Sequence, residues 1–169
     1  MPPLKLPSRV LIQLVDENDS PVCVPNVLFR VTAFASYKND FHLGPFASDG
    51  AGIVTITKSD LDAGIADCYE SGLMDYSNIS GCSSRVEIRL LSDGDIRRAV
   101  DAREKIWTKL LPGERTRWKS IGELLNLYKS ANNARFVPDA IRMNWSEEGA
   151  EYSNIFAVAP APLGQPEHR

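Results

Sequence analysis

The first ninety residues alternate between short apolar segments and polar turns. This pattern predicts strands over 9–15, 27–34, 41–46, 53–57 and 85–90. Residues 9–15 are apolar on both faces, which is typical of a strand in the middle of a sheet. Val86, Ile88 and Leu90 alternate with charged residues, which favours a half-buried strand. The segment 48–52, with two glycines and an Asp, predicts the tight turn before residues 53–57.

The period changes from two to that of a helix at residue 92. Asp93 and Asp95 open a predicted helix that Pro112-Gly113 ends, and a second helix follows from about Thr116. The apolar stripes are Ile96, Val100, Trp107 and Leu110 or Leu111 on the first helix, and Trp118, Ile121, Leu125 and Tyr128 on the second. Together they predict an αα-hairpin over residues 93–133, called the helical hairpin below.

A shorter helix is predicted after Thr57. Ser59 is its expected N-cap, and Asp60 and Asp62 stand in the first turn, where the helix dipole favours acids. The apolar positions are Leu61, Ile65, Cys68 and Tyr69.

Alternation returns at Ile141, Met143 and Trp145, and again from Tyr152 to Val158. Short strands with turns at this spacing favour a mainly β fold. We therefore expect an antiparallel β-sandwich of about seven strands, with the helical hairpin inserted before the last two strands. The expected domain spans residues 8–159, and the Pro-rich residues 160–169 form an expected flexible tail.

Three segments resemble the carboxypeptidase-regulatory or transthyretin-like β-sandwich family. These are residues 15–22 with Pro21-Val22, residues 26–31, and residues 48–56 with Ser48-Asp49-Gly50. In that family a "Gly-x-Pro-Val" opening precedes "Thr-Asp-x-x-Gly" and a further strand. The resemblance covers residues 9–91 and implies a transthyretin-like sandwich; the helical hairpin is an addition to it.

Two activities of related sandwiches do not fit these residues. Hydroxyisourate hydrolases of the transthyretin-like family use several His and Arg residues and a Tyr-Arg-Gly-Ser ending, whereas this sequence has His42 as its one internal histidine and ends Pro166-Glu167-His168-Arg169. Intradiol dioxygenases bind iron through two Tyr and two His. The shortage of histidine counts against both.

The composition is that of an ordinary globular domain. The chain has 169 residues, of which 43% are hydrophobic and 24% are charged. Its longest apolar runs are far shorter than the roughly 20 residues that span a bilayer. Residues 1–7 lack the basic and apolar regions of a secretory signal. We therefore expect a soluble, cytoplasmic protein that does not enter membranes.

The positive charge is concentrated in the helical hairpin. Residues 93–135 carry 10 basic and 6 acidic groups, although the whole chain has a net charge of −3. The candidate partner-binding residues are Arg97, Arg98, Lys105, Lys109, Arg115, Arg117 and Lys119. Such a surface can attract an acidic partner or nucleic acid, or can simply be the solvated face of two helices.

Trp107, Trp118 and Tyr128 lie among these cations. Aromatic and basic residues together are typical of surfaces that stack on nucleic-acid bases. Their helical spacing instead places the aromatic residues on the apolar stripes. We therefore expect them to pack against the sheets or to face another protein.

His42 is the internal side chain suited to acid-base chemistry near neutral pH. It stands near Asp40, Asp49, Ser36 and Ser48, so a hydrolase that uses His42 with an Asp and a Ser or Cys nucleophile is an alternative function. No Gly-x-Ser-x-Gly motif supports this alternative. The simpler interpretation is a surface histidine in a loop.

No metal or cofactor is expected. Zinc would need Cys23, Cys68, Cys82 and His42 to converge from spacings that match no common zinc motif, so we expect the cysteines to be small core residues. Asp16, Asn18, Asp19 and Asp49 could bind Ca²⁺, but Pro21 replaces the glycine of an EF-hand loop, and Asx turns explain these residues better.

These observations favour a non-enzymatic protein-protein interaction module whose scaffold presents a basic helical hairpin to a protein partner. The His42 hydrolase and an electrostatic nucleic-acid-binding protein are the alternatives. The oligomeric state stays open.

Overall fold

The computed structural model describes residues 5–35, 40–70 and 82–162. The strands are β1 (Arg9–Val15), β2 (Leu28–Ala35), β3 (Phe41–Ala47), β4 (Ile53–Thr57), β5 (Cys82–Leu90), β6 (Ala140–Asn144) and β7 (Glu151–Ala157). The helices are α1 (Lys58–Glu70), α2 (Asp93–Trp107), α3 (Pro112–Arg117) and α4 (Lys119–Lys129), followed by a 3₁₀ turn, Asn133–Arg135. Within the described ranges the protein is therefore a mixed α and β structure, with its helices between β5 and β6 as predicted. The predicted end of the first helix at Pro112-Gly113 is wrong, because α2 ends at Trp107 and Pro112 begins the separate helix α3.

The strands form two sheets. A three-stranded sheet has the order β4-β1-β7, and a four-stranded sheet has the order β3-β2-β5-β6. Four strand pairs are antiparallel, but β1 and β7 run parallel, from Arg9 opposite Glu151 to Val15 opposite Ala157. The wholly antiparallel arrangement predicted from the sequence is therefore wrong for this pair. Parallel partners need a long connection, and nearly the whole chain separates β1 from β7.

The apolar alternation of the strands is confirmed by burial. β1 is the central strand of its sheet, and Val10, Ile12 and Leu14 are fully buried. Val86, Ile88 and Leu90 on β5 are fully buried as well. Residues of both sheets share one hydrophobic cluster, in which the rings of Phe29 on β2 and Phe156 on β7 meet edge to face with centroids 5.0 Å apart.

The helical hairpin covers the other face of the four-stranded sheet. Leu28 of β2 and Leu91, just after β5, form a second hydrophobic cluster with Ile96 of α2 and Tyr128 of α4. Ile96 and Val100 of the predicted α2 stripe and Tyr128 of the α4 stripe therefore pack against the sheet. This is why β2 is apolar on both faces near its start.

Local hydrogen bonds set the beginnings of the helices. Ser92 caps α2: its hydroxyl accepts from the Asp95 backbone N–H, and the Asp95 carboxylate accepts from the Ser92 N–H. At α1 the predicted cap Ser59 is wrong by two positions, because the helix already starts at Lys58. Thr57 Oγ1 accepts from the Asp60 N–H instead, because Thr57 is the residue that precedes the first helical one.

Other predictions fall partly outside the described residues. The side chains of Ile65, Cys68 and Tyr69 lie outside them, as do residues 163–169 of the tail. The start of the tail is held, because the Ala161 N–H donates to the Arg135 carbonyl at 2.8 Å. No helix in the described part of the chain is long and apolar enough to cross a membrane.

Candidate functional site

The seven candidate cations are spread along the helical hairpin. Arg97, Arg98 and Lys105 are on α2, Lys109 follows it, Arg115 and Arg117 are on α3, and Lys119 begins α4. Arg115 is half-buried and the other six are exposed. The seven residues differ in their local partners, and three of them have partners within the hairpin.

Arg97 and Arg98 are paired within their own helix. Arg97 forms an ion pair with Asp93, and Arg98 Nη2 lies 2.5 Å from the Asp95 carboxylate. Both pairs join residues three or four apart, as helix geometry allows. The first turns of α2 therefore carry little net positive charge.

Arg115 contacts both the ring and the backbone of Trp107 and so holds this residue in position. Its guanidinium lies over the Trp107 ring, 5.1 Å from the centroid, and donates to the Trp107 carbonyl from Nε at 3.3 Å and Nη2 at 3.1 Å. The Trp107 ring also lies against the Cα of Gly122 on α4. These contacts join the end of α2 to α3 and α4.

The three aromatic residues differ in their surroundings. Tyr128 is 8% exposed and packs in the cluster with Leu28 of β2, as expected. Trp107 packs against Gly122 within the hairpin. Trp118 is 49% exposed at the junction of α3 and α4, so the expectation that remains for it is contact with another protein. Helical periodicity is the same for Tyr128 and Trp118 and does not separate a packed residue from an exposed one.

Trp118 belongs to an exposed apolar group at the end of the hairpin. Ile106 is 49% exposed and Leu111 is 68% exposed. Leu111 precedes α3 and Trp118 follows it, so the two residues flank this six-residue helix. We call residues 105–119 the hairpin tip.

His42 lies on β3 and not in a loop. Its Nδ1 is 3.0 Å from Thr32 Oγ1 on the neighbouring strand β2. Burial and the positive charge of Arg30 lower the pKa of His42 from its ordinary value, and the charge of Asp40 opposes this shift. His42 is therefore neutral at pH 7.

The other members of the predicted hydrolase site have structural roles. Ser48 Oγ donates to the Val24 carbonyl and accepts from the Val27 N–H. Asp49 accepts from the N–H groups of Ala51 and Ile53 and so holds the turn before β4. The hydrogen-bond partner that the structure gives His42 is the hydroxyl of Thr32. Ser36 lies outside the described residues.

A cavity of about 340 Å³ lies between the four-stranded sheet and the helical hairpin. Its polar lining consists of Arg30, His42, Asp95, Arg98, Arg103 and Tyr128. The Arg103 guanidinium lies 4.8 Å from the centroid of the Tyr128 ring, and Nη1 donates to the Ala99 carbonyl at 3.3 Å. Burial raises the pKa of Tyr128, against the charges of Arg103 and Arg30, so its hydroxyl keeps its proton near neutral pH.

Sequence reasoning missed Arg30, Arg103 and Tyr128 as a site. Arg30 is on the same face of β2 as Leu28 and Thr32, neither of which is charged. An uncharged face with one arginine indicates that another part of the protein covers this face of the strand. The partner helices that complete the cavity are more than sixty residues away in sequence, so no local motif contains them.

The residues considered for metal binding are used otherwise. Asp16 Oδ1 accepts from the N–H groups of Asn18 and Ser20, which confirms the Asx turn. Cys23 is exposed, so the prediction of a core residue is wrong for it, while the side chains of Cys68 and Cys82 lie outside the described part. No group of three or more His, Cys, Asp or Glu in the described ranges is arranged to hold a metal ion.

In comparisons with known proteins, no protein-family model, curated protein or solved structure matches the chain.

Proposed function

We propose that the protein is a non-enzymatic interaction module in which a transthyretin-like β-sandwich scaffold presents the hairpin tip to a protein partner. Two observations support the scaffold. Residues of both sheets enter one hydrophobic cluster, and Phe29 and Phe156 contact each other between the sheets. The helical hairpin is joined to this scaffold through a cluster of its own.

The exposed apolar group at the hairpin tip carries the proposal. Among the described residues the large apolar side chains with the highest exposure include Ile106, Leu111 and Trp118, and these three lie within 13 positions of one another. An exposed tryptophan is typical of the residues that dominate binding at protein-protein interfaces, and exposed apolar groups mark such surfaces. Leu111 and Trp118 are therefore the proposed anchors.

The positive charge of the hairpin tip favours a partner with acidic residues. Residues 105–119 contain five basic side chains and one acidic one, Glu114. Lys105, Lys109, Arg117 and Lys119 form no ion pair with any residue that the structure describes. A partner segment with acidic residues around an apolar anchor complements this surface.

The tip is held in shape before it binds. The Leu111 N–H donates to Glu114 Oε1 at 3.0 Å, and Pro112 occupies the first turn of α3, where its missing N–H has no cost. Arg115 and Gly122 hold Trp107 in place within the tip. Such preorganisation lowers the entropy lost on binding.

Affinity capture from source lysate tests the proposal with matched variants. We expect at least one protein to be captured by the wild type and by Ile155→Ser, and to be lost with Leu111→Ser plus Trp118→Ser. Ile155 is the control because it is also 49% exposed but lies on β7, in the other sheet. Circular dichroism checks that all variants fold. If the double variant retains every captured protein, the proposal fails.

Salt dependence separates this function from nucleic-acid binding. Purified partner should still bind at 0.5 M salt, because the apolar anchors are insensitive to screening. Duplex DNA would bind with a log-affinity slope of about −0.9 per neutralised phosphate and would be lost at that salt concentration. The nucleic-acid alternative would be favoured if the protein bound DNA tightly, if salt weakened this binding, and if Lys109→Gln plus Lys119→Gln abolished it.

A further inference from the structure

The cavity beneath the helical hairpin is lined by more arginine side chains than carboxylates, so its walls have an excess of positive charge. Arg30, Arg98 and Arg103 line it together with one carboxylate, Asp95. Asp95 is already engaged by Arg98 and by the backbone of Ser92. Arg30 and Arg103 have no carboxylate partner among the described residues.

Arg30 is the most unusual of these groups. Its Nε is buried and has no hydrogen-bond partner within the described part of the chain. A buried donor of a charged group without a partner is costly, and such donors are rare in folded proteins. Arg30 also lines the cavity, so its side chain is one of the groups that a ligand in the cavity meets.

The rest of the lining is suited to an organic ligand. His42 is tied to Thr32 through Nδ1, which leaves Nε2 as the ring nitrogen for a ligand. Leu43, Pro45 and Leu91 add apolar surface. A volume of about 340 Å³ falls at the lower end of the range of small-molecule sites.

We propose that this cavity binds the phosphate monoester of a small organic molecule, with Arg30 and Arg103 on the phosphate group. Three arginines and one aspartate give the walls a net charge of +2, which matches the charge of −1.5 to −2 that a phosphate monoester carries at pH 7. A carboxylate or sulfonate supplies half of that charge. Guanidinium groups also match the geometry of phosphate oxygens. This inference is independent of the function proposed for the hairpin tip.

Calorimetric titration with phenyl phosphate tests the inference on the full chain. Benzenesulfonate, which has a similar shape and one negative charge, and inorganic phosphate, which lacks the apolar part, are titrated at the same ionic strength. We expect phenyl phosphate to bind at least about tenfold more tightly than benzenesulfonate, and more tightly than inorganic phosphate. Equal affinity for phenyl phosphate and benzenesulfonate, or no binding of phenyl phosphate at millimolar concentration, would overturn the proposal.

Variants locate the site. Arg103→Gln should weaken phenyl phosphate binding at least about tenfold, the loss expected for a hydrogen bond to a charged group. Arg142→Gln is the matched control, because Arg142 also lies over an aromatic ring, 5.9 Å from the centroid of Phe34, but does not line the cavity. Unchanged affinity in Arg103→Gln, or an equal loss in Arg142→Gln, would contradict the assignment.

Arg30→Met distinguishes a binding role from a structural one. Because the Arg30 Nε has no partner in the described structure, removing it should leave the melting temperature of the free protein unchanged or higher, while phenyl phosphate no longer raises that temperature. A lower melting temperature with ligand stabilisation intact would show that Arg30 is structural, and would overturn its part in the site.

Discussion

At the scale of single residues, Asn133 joins the end of the helical hairpin to the four-stranded sheet. It is 1% exposed, accepts from the Leu28 N–H at 2.8 Å, and donates to the carbonyls of Leu28 at 2.9 Å and Leu91 at 2.8 Å. Its side chain thus serves both a strand and the segment that enters α2. The sequence predicted Asn132-Asn133 only as the end of a helix, since hydrogen bonds over this distance leave no periodic signal.

Asn133→Ala should lower the free energy of unfolding by about 2–3 kcal/mol, because backbone groups of Leu28 and Leu91 lose their buried partner. Asn126→Ala is the matched control: Asn126 is exposed on α4, and its loss should change stability by less than about 0.5 kcal/mol. Urea unfolding of both variants measures the difference. Equal effects of the two substitutions would show that the Asn133 bonds do not hold the hairpin.

His42 gives stability a pH dependence of known sign. Burial and Arg30 lower its pKa in the folded state, against the effect of Asp40, so the unfolded chain takes up a proton more readily. The resulting stability is complete above the ordinary histidine pKa of about 6.5 and is lost as pH falls through the lowered value. Urea unfolding at pH 7.5 and 5.5 should show a smaller loss in His42→Gln than in the wild type. An identical loss in both proteins would contradict this assignment.

At the scale of elements, periodicity predicted where strands and helices lie but not what lies against them. The bounds of β1 and β4 match the apolar pattern, and α2 begins at Asp93 as predicted. The cap of α1 is Thr57 and not the predicted Ser59. The sequence does not decide between them, because several polar residues in a row can all serve as caps. Trp118 is exposed although its spacing is that of a packed residue, since a helix pattern does not show how far the sheet extends.

Two glycines of the helical hairpin provide a paired test of its packing. A Cβ at Gly122 would lie 2.7 Å from Trp107 Cη2, whereas a Cβ at Gly113 meets nothing within 4 Å. Alanine is favoured over glycine in a helix by about 1 kcal/mol. Gly113→Ala should therefore raise stability by up to about 1 kcal/mol.

Gly122→Ala should lower stability by roughly 1 kcal/mol, because the Trp107 ring is held by Arg115 and overpacking outweighs the helix preference. Thermal unfolding of the two variants side by side measures the opposite shifts. A stabilised Gly122→Ala would mean that Trp107 moves freely, and that the hairpin tip is not preorganised.

At the scale of the whole molecule, the insertion of the helical hairpin between β5 and β6 was predictable and the pairing of the sheets was not. The change from period two to a helical period marks the insertion in the sequence itself. The parallel pairing of β1 with β7 places Arg9 opposite Glu151, and no local pattern in the sequence links two strands so far apart. The cavity likewise combines Arg30 of β2 with Arg103 of α2, which no local pattern links.

The central claim is that the hairpin tip is the surface that recognises a protein partner. Hydrogen-deuterium exchange of the protein with and without its captured partner tests this claim most directly. We expect slower exchange in residues 106–119 on binding and unchanged exchange in β7, which lies in the other sheet. Protection confined to β7 or to another strand, with the exchange of residues 106–119 unaltered, would contradict the claim.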